Sequence, residues 1–182
     1  MLNGEKTLNR KDIFSGRIIT VHVDDVELEN GKTGYREVVD HPGGVCVAAV
    51  TKDKELLFVR QFRYPYNEVC LELPAGKLEK GEDPADAIRR ELKEETGCTG
   101  KNWQFLGNLY PSPGYCGEII RLWCCEVDKE SGEQDLDEDE FVECERIPIE
   151  KAVEMVMNSE IPDAKTQVLI LKTARLFGTY NS

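Results

Sequence analysis

The stretch GKLEKGEDPADAIRRELKEETGC, residues 76–98, decides the fold expected for this chain. A glycine-containing loop that carries Glu82 leads into a predicted helix, and Glu91, Glu94 and Glu95 fall within five residues of that helix. Carboxylates held this close together repel one another, so either their pKa values rise or a cation lies among them. The segment is therefore a candidate site for a divalent metal ion.

The two ends of this helix are well marked in the sequence. Asp83 is a good N-cap, Pro84 suits the first helical position, and Gly97 is a natural stop. Successive residues of a helix are separated by about 100°. On that geometry the predicted buried stripe consists of Ala85, Ile88 and Leu92.

The helical wheel also favours burial of two glutamates over the alternative of a solvated acidic face. Glu95 lies about 20° from Ile88, and Glu91 lies about 60° from it. At about 5–6 Å and an effective dielectric near 20, the two carboxylates repel each other by roughly 3 kcal/mol. The charged residues on the opposite side of the wheel, where solvent is expected, are Asp86, Arg90 and Lys93. Oxygen ligands without a neighbouring His or Cys favour Mg²⁺ or Mn²⁺ over zinc.

The overall composition excludes some functions. A formal net charge of −12 argues against binding to nucleic acid, which needs a basic surface. Seven cysteines, an odd number without a CxxC pair, are typical of buried free thiols in a reducing compartment. Residues 1–17 lack the apolar core of a signal peptide, and no apolar run reaches the roughly 18 residues of a membrane helix. We therefore expect a cytoplasmic protein without membrane contact.

The order of predicted elements indicates an α/β protein with two parts. Residues 18–40 read as a small antiparallel unit, which the Pro-Gly-Gly run at 42–44 ends. We place an N-terminal β subdomain at residues 1–42 and the main domain at residues 43–182. Strands in the main domain flank one helix and later precede two, which favours a mixed sheet between helices. These strands are predicted at 45–50, 55–60, 69–73, 103–110, 119–127 and 141–147, and the two later helices at 149–158 and 164–177.

The glutamate segment resembles the Nudix box, Gx5Ex7REUxEExGU, in which U is an apolar residue. So many fixed positions coincide by chance on the order of once in a billion starts. The resemblance implies an α/β/α sandwich around a mixed sheet, and hydrolysis of a nucleoside diphosphate linked to another group. The residues that match in register are Gly76, Glu82, Arg90, Glu91, Leu92, Glu94, Glu95 and Gly97, with Cys98 a loose fit at the last apolar place.

Other segments are similar to the ADP-ribose pyrophosphatase subfamily of Nudix hydrolases. Residues 110–114, YPSPG, and the later Glu118 match an element that follows the box in that subfamily. Residues 36–39, 61–63 and 73–76 are also similar to it. So is the N-terminal strand unit, which in those enzymes is exchanged or packed between subunits. The resemblance therefore implies a homodimer.

The resemblance further implies roles for individual residues. The metal ligands would be Glu91, Glu95, the carbonyl of Ala75, and Glu140. Glu94 and Glu95 belong to the catalytic set, Glu94 either as a further ligand or as a group that orients one. Glu138 is the candidate base, although its division of labour with Glu140 stays open. The residues with a structural role in the motif are Gly76, Glu82, Arg90 and Gly97, and Arg90 and Glu82 are expected to pair and brace the loop against the helix.

The same resemblance leads to the expected reaction. The candidate substrate-binding residues are Arg36, Arg63, Pro113, Gly114 and Glu118. We expect Mg²⁺-dependent hydrolysis of ADP-ribose to AMP and ribose 5-phosphate, with Mn²⁺ as a substitute for Mg²⁺. The alternatives are another nucleoside diphosphate derivative, such as an ADP-sugar, NADH or a dinucleoside polyphosphate, or a non-catalytic module that senses a nucleotide.

Overall fold

The computed structural model describes residues 4–130, 133–136 and 141–178. The chain divides into two compact units. The first unit consists of Met1–Gly43 together with Tyr110–Ile119, and the second consists of Gly44–Leu109 and Ile120–Ser182. The first unit thus includes residues 110–119, which the predicted N-terminal subdomain at residues 1–42 does not contain.

The first unit is built on an antiparallel three-stranded sheet in the order β1-β2-β3. Its strands are β1 (Lys6–Ser15), β2 (Thr20–Glu27) and β3 (Thr33–Asp40). The segment 110–119 joins this sheet through Val39, whose N–H donates to the carbonyl of Tyr115 at 2.8 Å and whose carbonyl accepts from Gly117 at 2.9 Å. The small antiparallel sheet is confirmed, but β1 was not predicted because all ten of its residues are exposed and no apolar alternation marks it.

The second unit contains a seven-stranded sheet and three helices within the described residues. The strand order is β10-β5-β4-β9-β8, with β6 paired to β5 and β7 paired to β4. Strands β4 and β9 run parallel and the other pairs run antiparallel, so the sheet is mixed as predicted. The strands are β4 (Gly44–Val50), β5 (Glu55–Arg63), β6 (Glu68–Glu72), β7 (Ala75–Lys77), β8 (Cys98–Leu109), β9 (Ile120–Glu130) and β10 (Val142–Pro148), and the helices are α1 (Pro84–Thr96), α2 (Ile149–Met157) and α3 (Ala164–Leu176).

The alternation of side chains along β4 builds two cores, one on each face of the sheet. Val45 and Val47 pack in one cluster with Ile88 and Leu92 of α1. Cys46, Ala48 and Val50 point to the opposite face. They pack there with residues of α2 and α3, such as Ile149, Leu169 and Ile170. This arrangement confirms the α/β/α sandwich.

Helix α1 begins and ends as the sequence predicts. The Asp83 carboxylate accepts from the N–H of Ala85 at 2.8 Å, and Gly97 ends the helix in the left-handed region with φ 65°. Glu91 and Glu95 are buried, but the predicted stripe is wrong at one position. Ala85 is half-exposed, and the fully buried alanine is Ala87.

All seven cysteines are free. Five of them are buried, as expected: Cys46, Cys70, Cys98, Cys124 and Cys125. Cys116 is half-exposed and Cys144 is exposed, which corrects the expectation of burial for these two. No helix among the described residues has the length and apolar content to span a membrane.

Candidate active site around the glutamate helix

Two glutamates of α1 meet the loop that precedes the helix. The N–H of Ala75 donates to the Glu95 carboxylate at 3.0 Å. The carboxylate of Glu91 lies against Gly76 so closely that a Cβ at position 76 would be 1.9 Å from it. Glu91 and Glu95 are only 8% and 3% exposed. The structure therefore brings both carboxylates to the backbone at Ala75 and Gly76, at the edge of the core.

Arg90 lies among three carboxylates, and its expected pairing with Glu82 is confirmed, whereas the expected solvated position holds only in part because the side chain is 33% exposed. It donates to Glu82 at 3.0 and 3.2 Å and to Glu94 at 2.8 Å, and it is 3.0 Å from Glu91. Glu94 lies one turn further along the same face of the helix, Glu91 is the next residue, and Glu82 lies on the loop before the helix. The hydrogen bonds that Arg90 donates to Glu82 lower the pKa of Glu82 and raise the pKa of Arg90. This cluster ties the loop to the helix.

The oxygen donors at this edge fit a hard divalent cation. Glu91, Glu95 and the carbonyl of Ala75 are oxygen ligands of the kind that Mg²⁺ prefers. Within the described ranges, no three His, Cys, Asp or Glu side chains are grouped closely enough to hold a metal ion. The predicted set combines two such side chains with a backbone carbonyl and with Glu140. Glu140 and the candidate base Glu138 lie outside the described residues.

The described part of the acidic segment, residues 133–136, is anchored at the C-terminal end of α1. The N–H of Asp135 donates to the carbonyl of Glu94 at 2.9 Å, and the side-chain amide of Gln134 donates to the carbonyl of Glu95 at 2.5 Å. The thiol of Cys144 donates to the same Glu95 carbonyl at 3.0 Å. These contacts satisfy carbonyls that the last turn of a helix leaves unpaired. Sequence reasoning missed Gln134, which lies in a run of acids without any motif around it.

A buried carboxylate lies a few residues before the loop, at Glu72, which is 2% exposed. Arg63 donates to both of its oxygens, each at 2.7 Å, and Lys165 forms an ion pair with it. Burial alone would raise the pKa of Glu72, but the hydrogen bonds and charges of Arg63 and Lys165 lower it to about 2. Sequence reasoning named only Arg63. The available signal was an acid inside the apolar run VCLEL.

The remaining predicted residues belong to the first unit. Arg36 donates to the carboxylate of Glu5 through two nitrogens, which forms an ion pair at the surface. Glu118 lies 3.5 Å from the ring of His41. Pro113 and Gly114 are exposed in the turn at 112–116, where the N–H of residue 116 donates to the carbonyl of residue 112 at 3.0 Å. Arg63, Ala75, Glu91 and Glu95 belong to the second unit.

Known protein families and relatives match the chain over nearly its whole length. The family profile of the NUDIX domain matches residues 40–168, and that of the nucleoside diphosphate sugar hydrolase N-terminal domain matches residues 5–39. An ADP-ribose pyrophosphatase of Bacillus subtilis (strain 168) is 46% identical, over 93% of this chain and 95% of the relative. A methanol dehydrogenase activator of Bacillus methanolicus is 42% identical, over 91% of this chain and 90% of the relative.

The fold agrees with these sequence matches. The crystal structure of an ADP compounds hydrolase has a TM-score of 0.84 to this chain, at 22% identity, and covers 98% of this chain and 97% of its own. At that identity the likeness concerns the fold, and the NUDIX profile carries the family assignment. The chain belongs to the Nudix family of hydrolases.

Proposed function

We propose that this protein hydrolyses ADP-ribose to AMP and ribose 5-phosphate. The observation that carries the proposal is the convergence of the buried Glu91 and Glu95 carboxylates on Ala75 and Gly76. A carboxylate pair at the edge of a core is suited to a cation that bridges a diphosphate. The 46% identity to an ADP-ribose pyrophosphatase supports the choice of substrate.

The proposal includes Mg²⁺, or Mn²⁺ in its place, held by Glu91, Glu95, the Ala75 carbonyl and Glu140. When bound, such an ion offsets the charge of a diphosphate and makes a neighbouring water more acidic. Glu94, which accepts a hydrogen bond from Arg90, would either be a further ligand or orient the set through that arginine. Mn²⁺ and Mg²⁺ share the preference for carboxylate and carbonyl oxygen.

The residues of the chain would divide the reaction as follows. Arg63 grips a phosphate group through forked, charge-assisted hydrogen bonds. Glu138 accepts a proton from the attacking water, whose oxygen bonds to one phosphorus while the bridging oxygen leaves on the other phosphate. Most of the rate gain comes from positioning and charge stabilisation, so no covalent intermediate with the protein is needed.

Residues of the first unit are the candidates for contact with the terminal ribose. Glu118 would accept hydrogen bonds from the terminal ribose, and Pro113 and Gly114 would shape the turn beside it. Arg36 would contact substrate only after exchanging its bonds to Glu5, since both are formed here.

A homodimer built on the N-terminal sheet is part of the proposal. The edge strand β1 exposes apolar side chains, with Ile13 and Phe14 each 55% exposed. An exposed edge strand with apolar side chains is a template for pairing with another chain.

The proposal also includes a cytoplasmic location. It is supported by the seven free cysteines, which are typical of a reducing compartment.

The comparisons favour two alternative functions. The match of residues 5–39 to a nucleoside diphosphate sugar hydrolase domain favours a sugar nucleotide as a rival substrate. The similarity to a methanol dehydrogenase activator favours a regulator that binds a nucleotide and acts on a dehydrogenase. Intact candidate ligands Glu91 and Glu95 argue against a module that only binds.

A turnover panel with Mg²⁺ tests the proposal. The substrates are ADP-ribose, GDP-mannose, NADH and a dinucleoside polyphosphate, with products resolved by chromatography. We expect the highest kcat/KM for ADP-ribose, with AMP and ribose 5-phosphate in equal amounts. Efficient cleavage of another substrate without AMP from ADP-ribose would overturn the substrate assignment, and binding without turnover of any substrate would favour the regulator.

A further inference from the structure

Glu72, Arg63 and Lys165 form an ion cluster that is partly buried. Apolar side chains at the buried positions would have a smaller desolvation cost. The side chain of Glu72 is 3% exposed and that of Lys165 is 11% exposed, whereas that of Arg63 is 37% exposed. Desolvating an ion pair usually costs about as much as its attraction returns, so buried pairs contribute little to stability. A role in the placement of Arg63 explains why the charges are there.

Lys165 is itself fixed by the first turn of α3. Its ammonium group lies 3.0 Å from Asp163, and Asp163 caps the helix by accepting from the N–H of Thr166 at 3.0 Å. The hydroxyl of Thr166 accepts from the N–H of Leu73 at 3.0 Å, directly after Glu72. The helix start thus holds both the cation and the strand end that carries the buried carboxylate.

Glu72 in turn fixes the guanidinium of Arg63. An arginine has five N–H donors, and Glu72 accepts from two of them, at Nε and Nη2. Because Glu72 is buried and Arg63 is partly exposed, the two-point contact directs the other donors toward solvent. The hydrogen bond to Glu72 is also the main reason that the pKa of Arg63 is raised, so the guanidinium stays charged.

We propose that Glu72 and Lys165 are positioning residues that hold Arg63 as a preoriented fork for the diphosphate of the substrate. Lys165 balances the buried charge of Glu72, and Glu72 locks the guanidinium plane, so that Arg63 loses little freedom when phosphate binds. Preorganisation of this kind strengthens binding without a new contact to the ligand. This inference rests on the proposed function, because it takes the phosphate-binding role of Arg63 from it.

A double-mutant cycle tests whether Glu72 acts through Arg63. The probe is the α,β-methylene analogue of ADP-ribose, whose Kd is measured by calorimetry with Mg²⁺, so that turnover is not required. In the wild-type background we expect Glu72→Gln to weaken binding by about tenfold, the effect of losing one charge-assisted hydrogen bond. In the Arg63→Ala background the same substitution should leave the Kd unchanged. Equal losses in both backgrounds would overturn the positioning role.

Two further variants keep the experiment interpretable. In Glu72→Gln the buried Lys165 loses its partner, which could destabilise the fold. The double variant Glu72→Gln with Lys165→Met removes both buried charges and avoids this effect. It should reproduce the tenfold loss of binding. Glu68→Gln is the matched control, since Glu68 is exposed and directly opposite Arg63 in the sheet. It should leave the Kd unchanged, and a tenfold loss there would contradict the proposal. Failure of the wild type to bind the analogue would overturn the proposed function itself.

Discussion

At the scale of the residue, Gly76 leaves the space that the Glu91 carboxylate occupies. A Cβ there would overlap the Glu91 carboxylate, which is the far end of a flexible side chain and can move. We predict that Gly76→Ala lowers kcat/KM by about 100-fold or more while the Tm changes by only a few degrees, because the carboxylate is displaced and the backbone is not. Steady-state kinetics and calorimetry measure the two quantities. Loss of fold, or unchanged activity, would contradict this role.

The burial of individual residues could be predicted from the sequence where it depends on the periodicity of a single helix. The wheel correctly buries Glu91 and Glu95, because both depend only on the periodicity of α1. It does not anticipate how Arg90 is held, because one of its three acidic partners, Glu82, lies on the loop before the helix. It is silent on Lys165, which meets Glu72 only because distant segments fold together.

At the scale of the element, the end of α1 combines a turn requirement with close packing. Gly97 has φ 65°, and a Cβ there would lie 2.6 Å from the carbonyl of Glu133. Gly31 has φ 75° with nothing within 4 Å of a Cβ, so it isolates the backbone effect. We predict that Gly31→Ala costs about 1 kcal/mol of unfolding free energy. Gly97→Ala should cost clearly more and should also reduce activity, since it displaces the anchor of residues 133–136.

Chemical denaturation of both variants measures the difference in unfolding free energy. Equal losses would show that Gly97 is needed only for its backbone conformation, and not for contact with the acidic segment.

Helices and strands could be predicted where residues close in sequence carry the signal, and not where pairing with a distant strand determines them. The caps and apolar period of α1 gave its bounds, and the buried run of β4 gave that strand. Strand β1 has the polar sequence KTLNRKDIFS and is held by pairing with β2, which no local signal announces. Strand β8 begins at Cys98, five residues before its predicted start, because pairing with β9 extends it.

At the scale of the whole molecule, the candidate residues divide between two units. The second unit contains the glutamate helix, its loop and Arg63, whereas the first contains Arg36 and the turn with Pro113 and Gly114. The candidate metal ligands Glu91 and Glu95 lie in one continuous segment, the Nudix box. The proposed substrate contacts come from segments far apart in the chain. That is why the family follows from residues 76–98 alone and the choice of substrate does not.

The central claim is that Glu91 and Glu95 hold the cation on which hydrolysis depends. The most direct measurement compares Glu95→Gln with the wild type in Mg²⁺-dependent turnover of ADP-ribose and in Mn²⁺ binding followed by EPR. Asp86→Asn, an exposed acid of the same helix, is the matched control. We predict a loss of about 10³-fold in kcat/KM, equivalent to about 4 kcal/mol, with weakened Mn²⁺ binding and an unchanged Tm. Near-normal turnover and Mn²⁺ binding by Glu95→Gln would contradict the claim.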